Sequence, residues 1–181
     1  MGVTIVGPND GVVIVYGVGI DGLKEPRIPL YMGNSGTAMR LIAGILSAQS
    51  FDSELIGDES LSNRPMQRIS DPLSEFGARI KLTKRNFPPL YISGTSLHGV
   101  RHKMTIASAQ IKSCLLLAGI HASGITKITE PAPCRDHTER MLEGFGYSIR
   151  RKKNSISLRG GGYLTGHRIE VPGDLSSAAF F

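Results

Sequence analysis

Apolar positions along the chain switch between strand and helix spacing, and the switches predict the elements. Residues 3–6 and 12–16 are β-branched runs on either side of Gly7-Pro8-Asn9-Asp10-Gly11, which predicts a hairpin with those five residues as its connection. A Gly/Pro-rich connection over 17–32 follows. Met39, Ile42, Ala43 and Leu46 then recur at helical spacing and predict a helix over about 35–49. Residues 51–56 predict a strand ended by Gly57-Asp58, and a loop over 59–64 follows. Pro65 suits a first helical position, so the next helix is expected over about 65–76, stopping at Gly77. Residues 79–83 and 90–93 predict two strands.

The same order then returns. A loop over 94–103 leads to a helix near 105–122 and a strand over 124–130. Asp136-His137-Thr138-Glu139 has capping-box spacing with Asp136 as the cap, and its helix ends at Phe145-Gly146. Residues 147–151 and 155–158 close the unit as paired strands. Leu41-Ile42-Ala43-Gly44-Ile45 echoes Leu117-Ala118-Gly119-Ile120, and Glu75-Phe76-Gly77-Ala78-Arg79-Ile80 echoes Gly144-Phe145-Gly146-Tyr147-Ser148-Ile149. A unit of helix, strand, helix, strand, strand therefore occurs twice. The opening hairpin reads as the tail of an earlier copy. A further copy is expected to begin at Gly173-Asp174-Leu175-Ser176-Ser177-Ala178-Ala179. Such repeats bury their cores against each other, so the expectation is a piece of a larger protein.

Composition narrows the class. A chain of 181 residues, 40% hydrophobic and 20% charged, can bury a globular core. No apolar run reaches membrane-spanning length and no signal-peptide pattern opens the chain, so the expectation is a soluble cytoplasmic protein with no membrane partner. A plastid is the alternative if a transit segment was removed. The net charge of +6 suits an acidic ligand, either a nucleic acid or small phosphorylated and carboxylated molecules. Only 6% of residues are aromatic, and none form a run interleaved with basic residues, which argues against nucleic acid and for small anions. Cys114 and Cys134 lack metal-ligand spacing. Cys114 lies in an apolar helical run and reads as core; Cys134 lies in a loop and is either a reactive thiol or inert.

Candidate chemistry concentrates at two helix starts. Gly33-Asn34-Ser35-Gly36-Thr37-Ala38-Met39-Arg40 offers N-cap residues and two glycines that let backbone N–H groups approach a bound group. It is either an ordinary capped helix or an anion site, because unpaired N–H groups and the positive dipole end attract anions. Ser108-Ala109-Gln110 is the comparable start in the second unit. Arg40 reads as a structural ion-pair residue rather than a ligand, Lys112 as a cation snorkelling to solvent with a reach to phosphate as the alternative, and His137 as a helix-start residue rather than a general base.

Five segments stand in one order: Gly33 to Arg40; Gly57-Asp58-Glu59-Ser60-Leu61-Ser62-Asn63-Arg64-Pro65-Met66; Ser108-Ala109-Gln110; Arg135-Asp136-His137-Thr138-Glu139; and Gly173 to Ala178. Together they resemble the 5-enolpyruvylshikimate-3-phosphate synthase family over nearly the whole chain. Ser-Ala-Gln with the Arg-Asp-His-Thr-Glu segment is similar to the class II branch. The resemblance implies an α/β fold of repeated βαβαββ units with pseudo-threefold symmetry, helices inside and sheets outside. It divides the chain into a substrate-binding domain over 1–172 and the start of a crossover over 173–181. Within that domain lie an incomplete unit over 1–30 and units over about 31–94 and 95–160. It further implies enolpyruvyl transfer from phosphoenolpyruvate to the 5-hydroxyl of shikimate 3-phosphate, through a tetrahedral intermediate that loses phosphate. The pathway is that of aromatic amino acid biosynthesis, and the family is the target of glyphosate.

Residue by residue, the resemblance places Asn34 and Gly36 in the turn facing phosphoenolpyruvate and Arg64 on its phosphate or carboxylate. Ser108 and Ala109 match the pair on the shikimate 3-phosphate group, Gln110 the residue touching both substrates, and Arg135 an arginine near the shikimate ring. No metal or organic cofactor is implied, and the full-length protein is expected to be a monomer. The family's N-terminal Lys-Ser…Arg motif and its second domain, which supplies the proton-handling carboxylates, have no counterpart in this sequence. No catalytic residue is therefore assigned here, and the chain alone is expected to be inactive. One alternative is the sister transferase acting on a UDP-sugar. That family carries a cysteine ahead of the arginine matching Arg64, and residues 57–63 hold none. The other alternative is a basic RNA-binding α/β module.

Overall fold

A computed structural model describes residues 1–83 and 86–173. Strands β1 (Thr4–Asn9) and β2 (Val12–Tyr16) form the expected antiparallel hairpin. Its connection is shorter than expected. Gly7, Pro8 and Asn9 belong to β1, where the register shifts between Val6 and Asn9, and the turn is Asp10-Gly11.

The first unit runs β3 (Leu30–Tyr31), α1 (Gly36–Leu46), β4 (Ser53–Ile56), α2 (Glu59–Ser62), α3 (Gln67–Glu75), β5 (Arg79–Lys81), β6 (Leu90–Ser93). The second runs β7 (Arg101–Lys103), α4 (Ala109–His121), β8 (Ile125–Thr129), α5 (His137–Gly144), β9 (Ile149–Lys152), β10 (Ser155–Arg159). Each builds a four-stranded sheet of one topology, ordered β3-β4-β6-β5 and β7-β8-β10-β9. The first two strands of each are parallel and the remaining pairs antiparallel. The repeat is thus βαβαββ, and the periodicity reading lacked its first strand in both copies. Leu30–Tyr31 and Arg101–Lys103 lie in stretches read as connections. They are too short to carry an alternating pattern, and pairing with β4 and β8 makes them strands.

The helix expected over about 65–76 forms as α3, and a short extra helix, α2, precedes it. Asp58 caps α2 by accepting the Leu61 N–H at 2.7 Å, so the loop expected over 59–64 starts with a helical turn. Pro65 precedes α3 instead of opening it, and Pro72 lies inside that helix. The helix near 105–122 begins only at Ala109, because Ser108 is extended and caps it. The capping box at Asp136 does not form. Its carboxylate takes Arg140 and Arg151 at 2.9 and 3.0 Å, and Glu139 turns into the core. The motif from Asp174 to Ala178, with the crossover it was read to begin, lies outside the described residues.

Burial explains the layering. β4 and β6 turn Leu55, Leu90 and Ile92 inward, and β8 and β10 turn Ile128, Ile156 and Leu158 inward. The opposite faces carry exposed Tyr31, Tyr91, Lys127 and Arg150. Helix α4 is buried nearly all round, from Ile111 through Ile120 with only Leu117 half-buried, and packs on α1, α3, α5, β8 and β10. Such a helix shows no polar face because no side of it meets water. It runs close to α1 because Gly44 has no side chain; a Cβ there would collide with the Cys114 carbonyl. The packing of α1 on α4 fixes how the two helix starts stand to each other.

Candidate functional site

At the start of α1 the chain makes a tight turn over Gly33 to Gly36. Gly33 holds φ +55, a left-handed conformation that favours glycine. Ser35 caps the helix by accepting the Ala38 N–H at 3.1 Å. The turn is tied to the end of β4, where the Asp58 N–H donates to the Gly33 carbonyl at 2.9 Å and the Asn34 amide donates to the Asp58 carboxylate at 2.8 Å. The Leu61 N–H and the Asn34 amide hold Asp58 below the usual carboxylate range.

Arg64 enters this turn from the loop after α2. One guanidinium nitrogen donates to the Asn34 carbonyl at 3.2 Å. The other donates to the Asn34 side-chain oxygen and to the Ser60 hydroxyl. All of these acceptors are neutral. Gly36 is buried between Arg40, Arg64 and Leu61; a Cβ on it would lie 3.1 Å from the Arg40 guanidinium and 3.3 Å from that of Arg64. Asn34, Gly36 and Arg64 are therefore brought together as expected.

Arg40 is not the ion-pair residue expected of it. It donates to the Gln110 side-chain oxygen at 2.7 Å and to the Pro65 carbonyl at 3.4 Å, again neutral acceptors. Burial and the neighbouring cations Arg64 and Arg68 lower its pKa. The Arg40 and Arg64 guanidinium groups thus close on Gly36 together, and neither is ion-paired to a carboxylate among the described residues. Like charges gathered this way repel unless an anion joins them, so the arrangement suits a phosphate or carboxylate ligand. The position of Arg40, four residues after Gly36 on its face of the helix, shows in the sequence but fits an ion-pair residue equally well, so spacing alone does not place it.

The second cluster stands at the start of α4. Ala107, Ser108, Ala109 and Gln110 form one wall of an open hollow of about 680 Å³; Pro133, Cys134 and Arg135 form the other. Four expected residues thus meet in one place. The Ser108 hydroxyl accepts the Ile111 N–H at a long 3.4 Å, which leaves it free to turn toward a ligand. Arg135 is exposed and forms no ion pair with another described residue, since Asp136 is taken by Arg140 and Arg151 and Glu139 by Lys112. Gln110 joins the clusters: its amide donates to the Thr37 hydroxyl at 2.8 Å while its oxygen accepts from Arg40.

Behind the hollow the structure differs from the snorkelling expected of Lys112. Its side chain is 1% exposed and its ammonium lies 2.6 Å from Glu139 and 3.1 Å from Glu130. Burial opposes the charge, but the bonds to Glu139 and Glu130 outweigh it and raise the lysine pKa. The Cys134 thiol donates to Glu130 at 2.6 Å, and burial with this bond raises its pKa, which makes it a poor nucleophile. Cys114 is core as expected, its pKa pushed up to about 12 by burial. His137 is exposed at the start of α5, as read from sequence.

Much of the basic surplus lies away from both clusters. Arg101, Lys127 and Arg150 stand in one row across the solvent face of the second sheet. No helix among the described residues is long and apolar enough to cross a membrane.

The family model for EPSP synthase (3-phosphoshikimate 1-carboxyvinyltransferase) matches residues 1–181. The chain is 57% identical over 187 residues to the 3-phosphoshikimate 1-carboxyvinyltransferase of Hydrogenovibrio crunogenus, and 56% identical over 182 residues to that of Methylococcus capsulatus. In both comparisons all of this chain is covered but only 42% of the relative. The solved EPSP synthase of Acinetobacter baumannii superposes with a TM-score of 0.95 at 56% identity, over 99% of this chain and 41% of that one. The chain thus spans about two fifths of the length of the relatives it matches. A match along every residue, a sheet topology repeated in both units and a superposition of this quality together assign the chain to the EPSP synthase (3-phosphoshikimate 1-carboxyvinyltransferase) family.

Proposed function

We propose that this chain carries the shikimate 3-phosphate side of an enolpyruvyl-transfer site, with one edge of the phosphoenolpyruvate subsite. In this reading the hollow at the start of α4 takes the 3-phosphate on Ser108 and the Ala109 backbone, and Arg135 lies along the ring. The turn at Gly36, with Arg64, takes the phosphate or carboxylate of phosphoenolpyruvate. Gln110, held between Thr37 and Arg40, stands where the two substrates would meet. The observation that carries the reading is the pair of anion-ready clusters joined by one glutamine. The relatives' activity gives the clusters their ligands.

The reaction itself would move the enolpyruvyl group to the 5-hydroxyl of shikimate 3-phosphate, with loss of phosphate from a tetrahedral intermediate. The clusters suit binding and orienting both anions, but the Asp58 carboxylate among them is engaged by the Asn34 amide and the Leu61 N–H, and no group in them is assigned the proton transfers. The chain alone is therefore expected not to turn over, and measurable phosphate release with both substrates present would contradict that. Monomeric assembly and a cytoplasmic location belong to the same reading.

Titration calorimetry of the 181-residue chain with shikimate 3-phosphate, shikimate and inorganic phosphate tests the binding claim. Shikimate 3-phosphate is expected to bind more tightly than either part. Arg135→Ala is expected to weaken it roughly tenfold, the loss of one charge-assisted contact. Binding no tighter than that of inorganic phosphate would overturn the reading.

A further inference from the structure

The residues lining the hollow are held by a charged cluster that they conceal. Lys112 lies one turn into α4, behind the wall formed by Ser108 to Gln110. Its ammonium reaches Glu130, at the root of the opposite loop, and Glu139, in the helix that follows that loop. It also stands 3.5 Å from the Cys134 carbonyl inside the loop. The Cys134 thiol binds the same Glu130 oxygen at 2.6 Å that Lys112 meets at 3.1 Å. Loop 131–135 is therefore fastened at its start, near its end and beyond its end to one cation on the opposite wall.

Core packing alone does not call for this arrangement. The equivalent position in the first unit, four residues after its own cap serine, is Met39, fully buried and apolar. Three ionised side chains buried together cost desolvation that an apolar trio would avoid. The second carboxylate oxygen of Glu139 is buried with no hydrogen-bond partner among the described residues, a further cost. We propose that Lys112, with Glu130 and Glu139, is the positioning device that sets the spacing between the Ser108–Gln110 wall and the Cys134–Arg135 wall. It thereby tunes affinity for the phosphorylated ligand without touching it.

The ligand part of this inference rests on the proposed function, but its mechanical part does not. Lys112→Met alone leaves two buried carboxylates without their cation, so the informative variant is the shape-conserving triple Lys112→Met, Glu130→Gln, Glu139→Gln. Its thermal midpoint is measured beside two readouts. The first needs no ligand: the rate at which a small aromatic disulfide reagent modifies Cys134, with Cys114 buried and unreactive. That rate is expected to rise on the order of tenfold as the loop is released, and Glu130→Gln alone is expected to raise it less. The second is calorimetric affinity for shikimate 3-phosphate, expected to fall about tenfold while affinity for phosphoenolpyruvate stays within about twofold.

A folded triple variant with unchanged Cys134 reactivity and unchanged affinity would overturn the inference. A triple variant that does not fold leaves Glu130→Gln as the decisive one, judged on the same two readouts. Cys134 released without any shikimate 3-phosphate binding by the unaltered chain would sustain the clamp and sink the functional reading instead.

Discussion

The two βαβαββ units share a sheet order and a serine-capped central helix, and they diverge one turn into that helix. In the first unit Met39 joins Leu61, Met66 and Ile69 in an apolar core. In the second, Lys112 meets Glu130 and Glu139. The site walls differ accordingly. The first turn is held from outside, by Arg64 and Asp58 bonding to Asn34 at the surface. The second is held from beneath, by buried charge. One scaffold thus holds a helix start in place by two means, and each can be broken separately.

The largest effect is expected from Lys112→Met. Removing the cation of a buried cluster typically costs about 3–5 kcal/mol, and the triple neutral variant should regain most of it. Urea unfolding measures both; a loss below about 1 kcal/mol for the single variant would mean that water reaches the cluster.

Next comes a pair of glycines that the sequence echo matches but the packing separates. Gly44→Ala pushes a Cβ into the rigid Cys114 carbonyl of the partner helix and is expected to cost about 2 kcal/mol or more. At Gly119 a Cβ would meet side-chain atoms of Thr126 and Leu158 at 3.0–3.2 Å, which can yield, so Gly119→Ala should cost less. Equal losses would show that the close approach of α1 and α4 is not what positions them.

The cap serines sharpen the contrast further. Ser35 holds its N–H at 3.1 Å and Ser108 at 3.4 Å. Ser35→Ala is expected to cost about 1 kcal/mol of stability. Ser108→Ala should cost less stability but should weaken shikimate 3-phosphate, because its hydroxyl is the freer of the two.

The smallest effect concerns acid. Hydrogen bonds from the Leu61 N–H and the Asn34 amide depress Asp58, so its contribution is present above the ordinary carboxylate value of 3.8. The contribution is lost as pH falls through the folded value. Between about pH 5 and pH 3 the urea midpoint of Asp58→Asn should therefore fall less than that of the unaltered chain. Asp136, depressed by Arg140 and Arg151, should act likewise at the second unit. Identical slopes in variant and parent would contradict this.

Legibility in the sequence follows the range of the interactions. The helix start at Ser35 shows locally, because a cap and its first apolar turn lie within a few residues, whereas periodicity ran the second helix back to about 105, ahead of its cap at Ser108. The grouping of Asn34, Gly36 and Arg64, and of Ser108 to Gln110 with Arg135, came from ordered motifs, which bring distant segments together where periodicity cannot. Strands β3 and β7 escaped because parallel pairing, not their own pattern, makes them strands. Asp136 looked like a capping-box residue, since nothing near it in sequence announces that Arg151 will claim its carboxylate. Lys112 looked like a surface cation for the same reason: its partners arrive from a later loop and helix.

Amide chemical shifts of the isotope-labelled chain, followed during titration with shikimate 3-phosphate, test the central claim most directly. The expected result is a saturable response at Ser108, Ala109, Gln110, Cys134 and Arg135, with smaller changes at Thr37 and Arg40 relayed through Gln110. A response centred on the cationic face around Lys127, or none at the start of α4, would contradict it.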